Sequence, residues 1–279
     1  MALTIGKSNS LKVIRKTDIA YILRSEQNEE VFLHVNESNH QELVPNQMVD
    51  AFLYFDAKGR LTATLAKPLV EIDRPGILKV VSVNPGLGVF MDLGISKDVL
   101  LSKDFLPANP DEWPTVGDQL LVELILKSKL VARPLTYNEL RVVVGNLSLH
   151  DEVEGHIQDL GKIGLFILTQ EGNTVLVRKS NLRGTYRLGQ KVTVKITYES
   201  EKGYEGSLAA TKEVVRLDDA DLIMKILDEH SGIMPYTADT DSETISAAFG
   251  LSRKAFKRAL GLLYKQRKVK FEEGKTIKI

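Results

Sequence analysis

From the first residues to about position 210, apolar and polar side chains alternate over short runs broken by Gly, Pro, Asn and Asp, a pattern that predicts β-strands. The clearest runs are "VFLHV" (31–35), "ILKVVSV" (77–83), "QLLVELIL" (119–126), "GLFILT" (164–169) and "KVTVKITY" (191–198). Beyond that point the apolar spacing changes to three and four, in "DADLIMKILDEH" and "SRKAFKRALGLLYKQ", and predicts helices. The change falls near 212–217 and separates an all-β part from a small helical domain.

The β part repeats. Residues 74–135 run through "GVFMDL", "DVLLSK", "VGDQLLVELILKS" and "KLVARPL". Residues 151–208 follow the same order with "GLFILT", "TVLVRKSNL", "LGQKVTVKITYES" and "GYEGSL". Residues 11–70 fit more loosely, through "AYIL", "VFLHVNES", "PNQMVDAFLYFDAKG" and "RLTATLAKP". Each unit has about 60 residues and five strand-like pieces, the arrangement of an OB-fold barrel, whose face around strands two and three binds oligonucleotides. The expected fold is therefore mainly β, with three tandem five-stranded barrels (1–70, 71–136 and 147–212) and a small α+β domain at 215–279.

In that last segment "TDSE" (240–243) reads as a capping box, and Ser252 as the cap of a further helix stapled by Leu251 and Phe256. "VKFEEGKTIKI" reads as a hairpin turning at Glu273 and Gly274. Three helices and a hairpin make a winged helix. Phe256, Ala259, Leu260 and Leu263 mark the inward face of its third helix, while Lys254, Lys257, Arg258 and Lys265 recur on another face. From Leu251 onward ten Lys or Arg stand against two Glu, a polarisation suited to phosphate contact with RNA or DNA.

The second and third units resemble S1-like RNA-binding domains, in which an aromatic follows a glycine in the second strand and the third strand ends in a His or polar residue. Three such units before a winged helix resemble the layout of the conserved virulence factor B (CvfB) family of bacteria such as the firmicutes. The resemblance implies RNA binding and control of virulence-associated gene expression. Single-stranded RNA is held by bases stacked on exposed aromatics and by cations along the backbone. By this resemblance Phe166 is the stacking aromatic of unit three, with Arg178 in place of the histidine and Lys162 beside the bend. In unit one Tyr21 and His34 match the aromatic and the histidine, Arg60 follows the "FDAKG" turn, and Ile19 stands where the glycine is expected. In unit two Phe90 matches the aromatic and Ser102 the histidine, which makes this unit the weakest expected contact. Tyr204, in "EKGYEG", is expected to be an exposed turn aromatic.

The glycines of "NPGLGVF" (84–90) do not form a dinucleotide loop. G-x-G-x-x-G needs a third glycine where Met91 stands, and a helix where "VFMDL" continues as a strand. "GKIG" (161–164) has KH-loop spacing, but strands flank it. Both are expected to bend the hairpin between the first two strands of a barrel.

Lys plus Arg equals Asp plus Glu at 37 each, so attraction to nucleic acid rests on local patches rather than a global field. The absence of Cys excludes disulfides, thiolate catalysis and Cys-ligated zinc. No nucleotide-loop, zinc-protease or serine-hydrolase motif is present, and the five His are scattered, so neither catalysis nor a metal or other cofactor is expected. The N-terminal segment lacks the apolar core of a signal peptide and no run reaches membrane-spanning length, which points to a cytoplasmic protein. Single-stranded RNA is the expected partner. A DNA-binding regulator acting through the winged helix, and a protein adaptor using the barrels, are the alternatives.

Overall fold

A computed structural model describes residues 2–140, 146–182, 184–201, 203–208, 212–272 and 274–279, with 212–218 as helix backbone. It divides into two compact units, Met1–Leu208 and Ala209–Ile279. Three closed barrels make up the first unit. Barrel one holds β1 (Ser8–Lys16), β2 (Ala20–Arg24), β3 (Glu30–His34), β4 (Met48–Phe55) and β5 (Leu61–Thr64). Barrel two holds β6 (Gly76–Asn84), β7 (Gly88–Met91), β8 (Val99–Ser102), β9 (Gln119–Leu126) and β10 (Leu130–Pro134). Barrel three holds β11 (Glu152–Gly161), β12 (Gly164–Thr169), β13 (Thr174–Arg178), β14 (Lys191–Ser200) and β15 (Gly203–Leu208).

Each barrel has one topology. Its first three strands form a meander, the fifth strand pairs in parallel with the third, and the fourth closes the barrel against the first and fifth. The first strand slips register at the same place in all three, between Val13 and Arg15, Val80 and Ser82, and Ile157 and Asp159. Such a bulge sharpens the bend that closes a small barrel. Alternation fills the interiors: Leu120, Val122 and Leu124 of β9 point inward, as do Val194 and Ile196 of β14.

One strand departs from alternation for a reason. In β4, Val49, Ala51 and Leu53 fill barrel one while Phe52 and Tyr54 join the core of barrel two, so the run "AFLYF" is buried on both faces. The second and third barrels are joined by a side chain that imitates a strand edge. Gln158, at the bulge of β11 and 2% exposed, accepts from Leu121 N at 2.9 Å and donates to Leu121 O at 2.8 Å and Leu135 O at 2.9 Å. Beside it Arg187 donates to both carboxylate oxygens of the buried Asp118, at 2.8 and 3.2 Å.

The second unit is a winged helix: α1 (Lys212–Glu229), β16 (Ile233–Met234), α2 (Ser242–Phe249), α3 (Arg253–Lys265), β17 (Val269–Glu272) and β18 (Lys275–Lys278), with sheet order β16-β18-β17. Ser252 caps α3 by accepting from Ala255 N, and Leu251 and Phe256 are buried in one core cluster. The cap of α2 is Asp241, which accepts from Thr244 N at 2.9 Å, so the capping box expected to start at Thr240 is shifted by one residue. Thr240 is drawn instead into the preceding turn, where its hydroxyl accepts from Thr237 N. At the wing Gly274 has φ 72°, the left-handed region a tight turn needs. Its expected partner in that turn, Glu273, lies outside the described residues.

Candidate nucleic-acid interface

The three barrels can be compared residue by residue because β2–β3, β7–β8 and β12–β13 pair in the same register. His34, Ser102 and Arg178 lie opposite Ala20, Gly88 and Gly164. Two residues along, Phe32, Leu100 and Leu176 lie opposite Ile22, Phe90 and Phe166. Close approach explains the two glycines. A Cβ on Gly88 would stand 2.2 Å from Leu101 O, and one on Gly164 would stand 2.0 Å from Val177 O.

This register corrects the reading of unit one. Ala20, not Ile19, holds the glycine's place, and Ile22, not Tyr21, is the counterpart of Phe90 and Phe166. A slip of one residue turns a strand side chain to the opposite face. Tyr21 is accordingly 2% exposed in the core of barrel one, where its hydroxyl accepts from Leu43 N, and it offers no stacking surface. The half-exposed aromatic of this face is Phe32, which the sequence reading missed. Its signal was present, since Val31 and Leu33 alternate inward and leave Phe32 and His34 on the outer side.

Phe32, His34 and Arg60 converge on one pocket of about 300 Å³, floored by Tyr54 and Thr62 and edged by Glu37 and Asp56. His34 accepts from Asn36 N at 3.1 Å through Nδ1, closing the turn that follows β3. That bond makes Nδ1 the acceptor and leaves Nε2–H to donate outward. Arg60 is held by Asp56, whose Oδ2 accepts from Arg60 Nε at 2.8 Å while Oδ1 accepts from the Lys58 and Arg60 amides. These bonds, the Arg60 amide first, hold the Asp56 carboxyl below the usual carboxylate range. Arg60 nonetheless keeps most of its surface in solvent.

Phe90 is half-buried and lines a different cavity, at the seam of barrels one and two. Ser102 caps the turn after β8 by accepting from Asp104 N.

Barrel three departs furthest from expectation. Phe166 is 4% exposed, and the Tyr137 ring stacks on it with centroids 3.9 Å apart and planes 23° from parallel. Tyr137 belongs to the segment after β10, which is fastened from both sides. Its amide donates to Asp159 Oδ2 at 3.0 Å, and Arg133 donates to Glu123 and twice to Glu139. Arg133 and the cap bonds from Thr136 pull the Glu139 pKa down to about 2. Arg178 is exposed and doubly bonded to Glu205, much as Arg60 is held by Asp56. Lys162 is exposed at the β11–β12 turn. Tyr204 is not an exposed turn residue. It is 2% exposed because β15 carries it into the core, where its hydroxyl accepts from Asn146 N and Leu147 N.

In the winged helix Lys254, Lys257, Arg258 and Lys265 are exposed on α3, and none of them is in an ion pair among the described residues. The sequence reading missed a neighbouring feature. Tyr264 of α3 and Phe271 of β17 stack at 5.3 Å while 58% and 42% exposed. Among the described residues no group of three or more His, Asp or Glu is placed to hold a metal, and no helix is long and apolar enough to cross a membrane.

Comparison with known proteins agrees with these modules. Residues 5–66 match the S1 domain family, 76–130 the CvfB first S1-like domain, and 221–277 the CvfB-like winged helix domain. These domain types are nucleic-acid-binding rather than catalytic. The chain is 30% identical over 277 residues to the Bacillus subtilis uncharacterized protein YitL, spanning 97% of this chain and 92% of that one. It is 28% identical over 279 residues to conserved virulence factor B of Staphylococcus epidermidis, spanning 97% and 93%. Its fold is similar to a crystal structure of a multidomain protein with nucleic acid binding domains from Streptococcus pneumoniae, with TM-score 0.62, 24% identity and coverage of 99% and 98%. The order of the modules, their family matches and these full-length relatives lead to one conclusion: the chain belongs to the conserved virulence factor B family.

Proposed function

We propose that the protein binds single-stranded RNA across the outer face of barrel one and regulates virulence-associated genes after transcription, in the cytoplasm. The observation that carries this reading is the convergence of Phe32, His34 and Arg60 on one pocket. A base stacks on Phe32, and Arg60 meets the backbone phosphate. His34 Nε2–H and the Glu37 carboxylate, which also accepts from the Ser96 hydroxyl, line the same pocket and offer a donor and an acceptor to a ribose 2′-hydroxyl, which favours RNA over DNA. The regulatory part of the reading is supported by the family name alone. Titrating labelled single-stranded RNA, and DNA of the same sequence, against the whole chain and its Phe32→Ala and Arg60→Ala variants tests the binding.

The exposed cations of α3 beside the Tyr264–Phe271 pair favour a second nucleic-acid contact on the winged helix. A stripe of phosphate contacts carries no base code, so this contact serves RNA and DNA alike.

A further inference from the structure

Strand β4 of barrel one packs Phe52 and Tyr54 into the core of barrel two, and next to Tyr54 lies a cavity of about 400 Å³. Tyr54 and Phe55 wall it from barrel one, and Phe90, Ile95, Leu100 and Val131 wall it from barrel two. Two lysines of barrel two reach across its rim. Lys97 Nζ donates to Phe55 O at 2.5 Å and stands 5.8 Å from the centre of the Tyr54 ring, while Lys129 Nζ donates to Ala57 O at 3.2 Å. Both ammonium groups are bonded to neutral carbonyls, and neither joins an ion pair among the described residues. Burial, and then the charge of Lys129, push the Lys97 pKa down, with Asp56 opposing. Asp98 also lines the cavity, and the two cations repel each other, so a bound anion beside them relieves that repulsion.

Tyr54 lines both this cavity and the pocket of barrel one. An aromatic slot for a flat ring beside a cationic rim for a phosphate is the complement of one nucleotide. We propose that this seam is a second nucleotide subsite: the strand that crosses Phe32 and Arg60 continues over Tyr54, inserts a base against Phe90 and lays a phosphate between Lys97 and Lys129. The subsite rests on the reading of barrel one as the RNA-binding face. It also makes barrel two a contributor to the site, through its motif aromatic Phe90 and through Lys97 and Lys129, which no motif announces.

The test is fluorescence anisotropy of the whole chain with labelled oligouridylates of about four and about ten residues, the shorter near the smallest site of one OB barrel. Phe90→Ala lowers affinity for the longer strand by about five- to a hundredfold and leaves the shorter one unchanged, whereas Arg60→Ala weakens both. Lys129→Ala, an exposed change that spares folding, lowers the slope of log affinity against log salt by about 0.7 for the longer strand only. Wild-type affinity and salt slope in both seam variants, with Arg60→Ala still weakened, overturn the subsite and leave the barrel-one reading standing. A wild-type chain that binds neither length overturns both.

Discussion

Tyr137 lies flat on Phe166, ring centres 3.9 Å apart, and so covers the aromatic by which barrel three would stack a base. The face of that barrel is occupied by the chain's own linker. Its exposed cation, Arg178, is paired with Glu205, as Arg60 is with Asp56 in barrel one. Barrel three thus repeats the fold of barrel one with its second-strand aromatic covered. Phe166→Leu is expected to leave RNA affinity within about twofold of wild type once folding is matched. Tyr137→Ala is expected to lower barrel-three stability by about 1–3 kcal/mol, from lost ring packing and area. Thermal unfolding alongside RNA titration checks both.

The linker's seating is expected to weaken in acid. Glu139 titrates at about 2 in the fold against an ordinary 4.5, so its contribution is complete above pH 4.5 and is lost as pH falls toward 2. His156 acts in a higher window. Burial, and then Lys191, hold its pKa below the ordinary 6.5, so the folded state resists the proton and stability declines as pH falls below about 6.5. Hydrogen exchange at the Tyr137 amide, followed from pH 7 to 3, separates the two. His156→Gln should flatten only the upper window.

Gln158→Ala strips hydrogen bonds from Leu121 N, Leu121 O and Leu135 O at the joint of barrels two and three. Buried backbone groups left without partners cost about 1–3 kcal/mol. Denaturant unfolding should show that loss, and limited proteolysis should show easier cleavage near Leu135. Unchanged stability would mean that water replaces the amide.

Charge reversal of Lys254, Lys257 and Arg258 on α3 is expected to leave the helix folded, since all three are exposed. Nucleic-acid affinity should fall by about tenfold or more at low salt, with a shallower salt dependence. Tyr264→Ala should weaken single strands more than duplexes, because only unpaired bases expose faces to the Tyr264–Phe271 pair. A salt titration of each variant is the check.

The barrels and the winged helix were legible because short alternating strands, turn residues and helix caps are local signals. The site was legible only in part. His34 and Arg60 share a pocket, whereas Tyr21 lies one position away from the outward face, and a period of two sends a one-residue error into the core. Phe166 and Arg178 matched the pattern of their strands, yet their fate depends on Tyr137 and Glu205, each more than twenty residues distant in the chain. Strand periodicity carries no information about such a cover. Tyr204 was misplaced for a related reason, because its hydroxyl is satisfied by Asn146 and Leu147, residues of the segment leading into the barrel. The doubly apolar run of β4 carried the clue to the seam, since a strand buried on both faces must pack against a second element.

The measurement that bears most directly on the account is the affinity of the whole chain for single-stranded RNA before and after Phe32→Ala and Arg60→Ala. The account predicts a loss of about five- to a hundredfold for Phe32→Ala, a shallower salt dependence for Arg60→Ala, and weaker binding of DNA of the same sequence. Affinities and salt slopes equal to wild type in both variants would contradict it.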